Sequence, residues 1–149
     1  MTQEDVAARQ ALALRLHGEG CNCAQSVACA VADIVGADER ALFRLMEGFG
    51  AGMGGFSETC GAVSGGIAAI GFANSTGIDV KKSKGSTYRA AKRVVDGFRE
   101  KNGSTLCGEL KGLTSEDRRP LRSCDGCIED AVALTCAVLD DLRTAQPAR

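Results

Sequence analysis

The first 119 residues contain no proline, and within them apolar residues recur at helical spacing in blocks separated by glycine. Proline breaks helix interiors more firmly than any other residue, so its absence leaves the spacing free to decide. Val6, Leu12, Ala13 and Leu16 mark a helix from about Gln3 to His17, ended by Gly18-Glu19-Gly20. Ala24, Val27, Ala28, Val31 and Val35 fall at i, i+3, i+4, i+7 and i+11 of a second. Asn22 is its N-cap, with Gln25 three residues on, and Gly36 is its stop. Asp38 opens a third through Leu42, Leu45 and Met46, broken by five glycines in the eight residues from Gly48 to Gly55. Ser57 or Thr59 can cap a fourth through Ala62, Val63, Ile67 and Ile70, whose Gly61, Gly65, Gly66 and Ala69 let another backbone come very close. Asp79 starts a fifth with Val80, Tyr88, Ala91, Val95 and Phe98, ending at Asn102-Gly103. A short segment, Leu106 to Leu110, and a polar linker, Thr114 to Pro120, precede a last helix from about Cys124 to Leu142. The expected fold is all-α: a single-domain helical bundle over residues 1–149 with about six helices. A Gly-rich loop precedes a central buried helix, Gly61 to Ala73.

Composition removes several alternatives. Aromatic residues make up 4% of the chain and β-branched ones are scarce, which disfavours an all-β domain. The 18 Lys and Arg against 19 Asp and Glu leave no basic excess for a nucleic-acid partner, and the balance argues against a disordered chain. The longest uncharged run, Thr59 to Ile78, spans twenty residues but holds five glycines with Asn74, Ser75 and Thr76. Its apolar content is too low for a bilayer, so no membrane partner is expected. The acidic start, Met1 to Asp5, lacks the basic and apolar regions of a secretory signal. A cytoplasmic location is therefore expected, where cysteines in number serve metal or redox chemistry more often than disulfides.

Eight cysteines are present. Cys23 follows Asn22, Cys60 follows Thr59, Cys124 follows Ser123 and Cys107 lies two past Thr105, so four thiols sit in the first turn of an expected helix. Free N–H groups and the positive dipole end favour a thiolate there, and several such ends would stabilise an anionic thiolate-ligated centre. Cys29 and Cys136 fall mid-helix, where an inert buried thiol is the better reading. Cys21 and Cys127 add Cys21-Asn22-Cys23 and Cys124-Asp125-Gly126-Cys127, the second being a C-x-x-C suited to dithiol–disulfide exchange. It lacks the βαβ setting of thioredoxin, and Ile128 stands where c-haem attachment needs His. With one C-x-x-C and one histidine, zinc-finger spacings are unmet.

Gly50 to Gly55 satisfies G-x-G-x-x-G, but an amphipathic helix precedes it where a dinucleotide site needs a strand. It reads better as a turn bringing backbone close to Cys60. His17 reads as a surface or capping residue without a paired acid, and Val80 to Lys84 as a solvated helix face. Phe49, Met53 and Phe56 are apolar residues on an accessible loop, a pattern that points to an interface.

Gly20 to Val27, with Asn22-Cys23-Ala24-Gln25, resembles the G-x-N-C-A-Q-x-V segment of the redox-active family named for a C-GCAxxG-C-C pattern. Phe49 to Gly54 followed by Cys60-Gly61-Ala62-Val63-Ser64-Gly65 resembles its glycine loop and C-G-A-x-x-G centre. Leu106 to Leu110, and Cys124 with Ile128, match its last two cysteine positions. A similar module in split-Soret cytochromes holds a small iron–sulfur cluster on four cysteines. The resemblance thus implies an electron-transfer or redox-sensing module with an iron–sulfur cluster, of the 2Fe-2S type, on Cys23, Cys60, Cys107 and Cys124. It also implies an unidentified redox partner protein and a homodimer. The added Cys21, Cys29, Cys127 and Cys136 leave the fourth thiol partly open. Two alternatives stand beside it. One is a thiol–disulfide oxidoreductase with Cys124 and Cys127 as catalytic pair, and Cys60 as a possible partner. The other is a helical interaction protein with structural zinc, or no metal, on the same thiols.

Overall fold

Polar caps start the helices where short polar side chains precede apolar stripes. Thr2 accepts from the Asp5 N–H and opens α1 (Gln3–Gly18). Asn22 and Gln25 form a reciprocal capping box at the start of α2 (Cys23–Ala30). A short α3 (Ala32–Val35) follows, then Asp38 caps α4 (Glu39–Met46) by accepting from Ala41 N–H. The remaining elements are α5 (Gly61–Asn74), α6 (Lys84–Asn102), the single turn α7 (Cys107–Leu110) and α8 (Cys124–Ala145), whose Ser123 cap accepts from Gly126 N–H. This computed structural model describes residues 1–146; among them there is no strand, only an isolated antiparallel bridge between Thr59 and Leu106.

Helix α5 is the centre of the bundle. It packs against α2, α6 and α8, while α1 covers α2 and α8. Val27, Val31, Val63, Ile70, Val94, Phe98, Ile128, Val132 and Leu139 form the core around it. A smaller cluster of Ala24, Ala28, Ala32, Leu42 and Met46 seats α4 against α2. The small residues of α5 set how near its neighbours come. A Cβ on Gly65 would lie 2.4 Å from the Ala24 carbonyl oxygen, and one on Gly66 would lie 2.2 Å from Thr135 Oγ1. At Gly61 the distances would be 2.9 Å to the Phe49 oxygen and 3.1 Å to the Ala24 nitrogen. Only glycine permits these crossings.

Three boundaries differ from the sequence reading. The second expected helix is two pieces, because Val31, at φ −118°, interrupts the helical backbone between α2 and α3. Neither Ser57 nor Thr59 caps α5; Thr59 joins the bridge to Leu106, and Cys60 itself occupies the cap position. The helix expected from Asp79 begins only at Lys84. There Ser83 Oγ accepts from Thr76 N–H at 2.9 Å and Thr76 Oγ1 accepts from Lys82 N–H at 3.2 Å. These bonds favour a loop, with Gly77 and Lys81 at positive φ, and Val80 to Lys82 belong to it rather than to a helix face.

Candidate functional site

The N-terminal ends of α2, α5, α7 and α8 meet at one cavity of about 210 Å³. Cys23, Cys107 and Cys124 are the first residues of α2, α7 and α8, and Cys60 is the residue before α5. All four line the cavity, together with Cys127 one turn into α8. Two backbone bonds hold Cys60 and Cys107 side by side: Cys60 N–H donates to Thr105 O at 2.7 Å, and Cys107 N–H donates to Glu58 O at 2.9 Å. Cys60, Cys107 and Cys127 are buried, whereas Cys23 and Cys124 are half-buried.

The thiols interact in two pairs. Cys23 acts on Cys124, and Cys127 on Cys60. Cys124 and Cys60 shift down, and Cys23 and Cys127 shift up. Cys124 falls to about 5, through Cys23 first and then the Lys111 ammonium, whose Nζ is 3.2 Å from its sulfur. Cys60 falls to about 7, through Cys127 first, with the N–H groups of Ala62 and Val63 adding to the effect against burial. The helix-terminal amides thus act on this sulfur as capping position predicts. Burial first, then the charges of Cys60 and Cys124, raise Cys107 against the opposing pull of the Lys111 ammonium. Among the described residues no three His, Cys, Asp or Glu side chains converge on a point suited to one metal ion.

A loop closes one side of the cavity. Ala51, Gly52, Met53, Gly54 and Phe56 all have positive φ, from 52° to 94°. The three residues among them that carry a Cβ are each strained by about 1–2 kcal/mol. The loop approaches Cys107 rather than Cys60, as a Cβ on Gly52 would sit 2.5 Å from Cys107 Cβ. Asn22 anchors its start by donating to Glu47 O at 2.9 Å. Phe49, Met53 and Phe56 are 39%, 48% and 43% exposed.

The other expectations divide. Cys29 and Cys136 are buried, and desolvation lifts both thiols to about 11, the behaviour of inert core cysteines. Cys21 is half-buried and lines a separate groove with Cys29, Phe43 and Arg44. His17 departs from its reading: it borders the thiol cavity, and its Nδ1 lies 3.1 Å from Asp125 Oδ1. Lys111 and Arg122 were missed altogether. Both line the cavity, and Arg122 is paired with the buried Asp130 through Nε at 3.1 Å. Lys111, four residues after Cys107, carries the one pattern that could have flagged it, since such neighbours share a helix face.

Residues 21–138 match the family model described as "Putative redox-active protein (C_GCAxxG_C_C)". No curated protein and no solved structure matches the chain at a significant level.

Proposed function

The chain belongs to the C_GCAxxG_C_C family of redox-active proteins, and on that premise we propose that the thiol cavity holds an iron–sulfur cluster used in electron transfer or redox sensing. One observation carries the reading: four helix ends each deliver a cysteine to the same small cavity, although these cysteines are far apart in the chain. The donor set suits the group. Thiolates are the ligands such clusters take, and positive helix ends offset their charge. Cys23, Cys60, Cys107 and Cys124 all line the one cavity, so four thiolates are available to a single group. Cys23, Cys60, Cys107 and Cys124 would hold it, and Cys127 stands as a fifth thiol beside them. When bound, such a cluster accepts and releases single electrons at a potential tuned by hydrogen bonds to sulfur and by solvent exposure. The chain's own part is to bring the thiols together, supply donors to them and exclude water with the 51–56 loop. The reading places the protein in the cytoplasm, where the eight free thiols would be kept reduced.

Anaerobic purification, a visible spectrum and assays for iron and acid-labile sulfide test this directly. Wild type should be coloured and contain both. Cys60→Ser should lose iron and colour, while Cys127→Ser keeps them. Full retention in Cys60→Ser refutes the proposal.

A second reading has its own support in the 3.2 Å contact between Lys111 Nζ and Cys124 Sγ. A Cys124 thiolate with Cys127 three residues on has the arrangement of a dithiol oxidoreductase: Cys124 attacks a substrate disulfide and releases one substrate thiolate, and Cys127 then attacks the Cys124 sulfur of the mixed disulfide, releasing the second and leaving a Cys124–Cys127 disulfide. In that case Cys127→Ser abolishes turnover of a disulfide substrate. The part-exposed Phe49, Met53 and Phe56 beside the cavity support cover by a second copy of the chain. Phe49→Ser with Phe56→Ser should convert a dimer to monomer in sedimentation and speed oxidation of the centre. A wild type that sediments as monomer at micromolar concentration with protected thiols removes the dimer.

A further inference from the structure

Lys111 is the C-terminal neighbour of α7, its N–H bonded to Cys107 O at 3.0 Å. Its side chain therefore projects into the same cavity as Cys107. The ammonium has two partners, Cys124 Sγ at 3.2 Å and the Phe56 ring, whose centroid is 5.7 Å away. It forms no ion pair with a carboxylate among the described residues, and the charges acting on it are those of Cys124, Cys107 and Cys23. A lysine so placed is unlike Arg122, the other cation lining the cavity, which is engaged by Asp130; the His17 ring lies against Asp125. The strained 51–56 loop sets the Phe56 ring against Lys111.

We propose that Lys111 is a positioning residue that raises the reduction potential of the thiol centre by donating to the Cys124 sulfur, with Phe56 holding it there. The proposal rests on the reading of the cavity as a redox centre, but not on which redox group operates. Reduction increases negative charge at this sulfur in either case. With a cluster held there, the Cys124 sulfur would carry part of the charge of the one electron added. A Cys124–Cys127 disulfide gains two electrons and one proton, and becomes a Cys124 thiolate and a Cys127 thiol, with a redox partner or added dithiol as reductant. A fixed cation in a half-buried site favours the reduced form in both.

The test is the midpoint potential of the purified protein, by anaerobic dye-mediated titration for a cluster or equilibration with dithiothreitol for a dithiol. A charge-assisted hydrogen bond is worth about tenfold or more in the reduction equilibrium. Lys111→Met should therefore lower the potential by about 60 mV for a one-electron couple or about 30 mV for a two-electron one. Phe56→Leu, which frees the ammonium without removing it, should shift it the same way by less. Lys111→Arg should restore most of the wild-type value, a rescue that a merely structural role does not produce. If Lys111→Met fails to assemble, the Arg and Leu variants decide: Arg near wild type with Phe56→Leu lowered supports the role, and any other pattern overturns it. A wild type without a reversible couple sinks the redox centre and this proposal with it. A normal wild-type couple with Lys111→Met unmoved, or with Lys111→Arg lowered as far as Lys111→Met, overturns the role of Lys111 alone.

Discussion

Gly65→Ala and Gly71→Ala place the same methyl group on the same helix in opposite surroundings. A Cβ at Gly71 meets nothing within 4 Å, whereas at Gly65 it lies 2.4 Å from Ala24 O and 3.2 Å from Ala24 C and Cα. Both substitutions improve helix propensity by about 0.5–1 kcal/mol, which is all that Gly71→Ala should show. At Gly65 every obstructing atom is backbone, so no rotamer change relieves the clash, and α2 and α5 must separate by about 1 Å to reach ordinary contact. Overpacking of this kind costs about 1–3 kcal/mol, and the upper half of that range applies where backbone must move. The net for Gly65→Ala is a loss of about 1–2 kcal/mol. In a chain of this length that lowers Tm by about 2–8 °C, while Gly71→Ala raises it by about 1–4 °C. Ala24 follows Cys23, so the displacement also pulls that thiol from Cys124, and the Gly65→Ala protein should bind less iron after reconstitution. Thermal and urea denaturation with iron assays read both effects. Equal stability of the two variants, or a stabilised Gly65→Ala with full iron, would falsify the close crossing and its coupling to the site.

Gly52→Ala should lose the centre without unfolding the bundle, because its Cβ would press on Cys107 Cβ at 2.5 Å from a backbone at φ 54°; retention of full iron content, or global unfolding by circular dichroism, counts against this. In the metal-free, reduced protein, Cys124 should alkylate with iodoacetamide along a pH profile centred near 5, as its lowered value requires, and peptide mass spectrometry showing a midpoint above 8 refutes it. Asp130 is 3% exposed, and burial works against its charge, but bonds from Lys101 and Arg122 hold its carboxyl below the usual 3.8. Its stabilisation is therefore complete above about pH 4 and lost as pH falls through the lower folded value. Because the Lys101 and Arg122 side chains are 58% and 37% exposed, Asp130→Asn should cost only about 1–2 kcal/mol at pH 7, less than a fully buried pair, and the deficit should vanish in acid. An equal deficit at pH 7 and pH 3 contradicts that account.

The sequence by itself determined the helices and the residues that can begin or cross them. Apolar spacing is a local property, so α1, α4, α5 and α8 were legible to within a few residues, and the Asn22–Gln25 box and the Asp38 and Ser123 caps with them. Gly61, Gly65 and Gly66 announced a close crossing before any partner was known. The position of Cys23, Cys107 and Cys124 in first turns was likewise local information. The loop before α6 was not legible, because Thr76 and Ser83 bond across seven residues and outweigh the weak preference of Val80 to Lys82 for helix. Tertiary structure alone decided what the thiols meet. The pairing of Cys23 with Cys124 and of Cys60 with Cys127 depends on how the ends of α2, α5 and α8 are aimed, and spacing within any one helix carries no such information. The same holds for Lys111, whose significance lies in a sulfur 13 residues away and a ring across the cavity. Sequence periodicity places a side chain on a face; only packing brings another face to it.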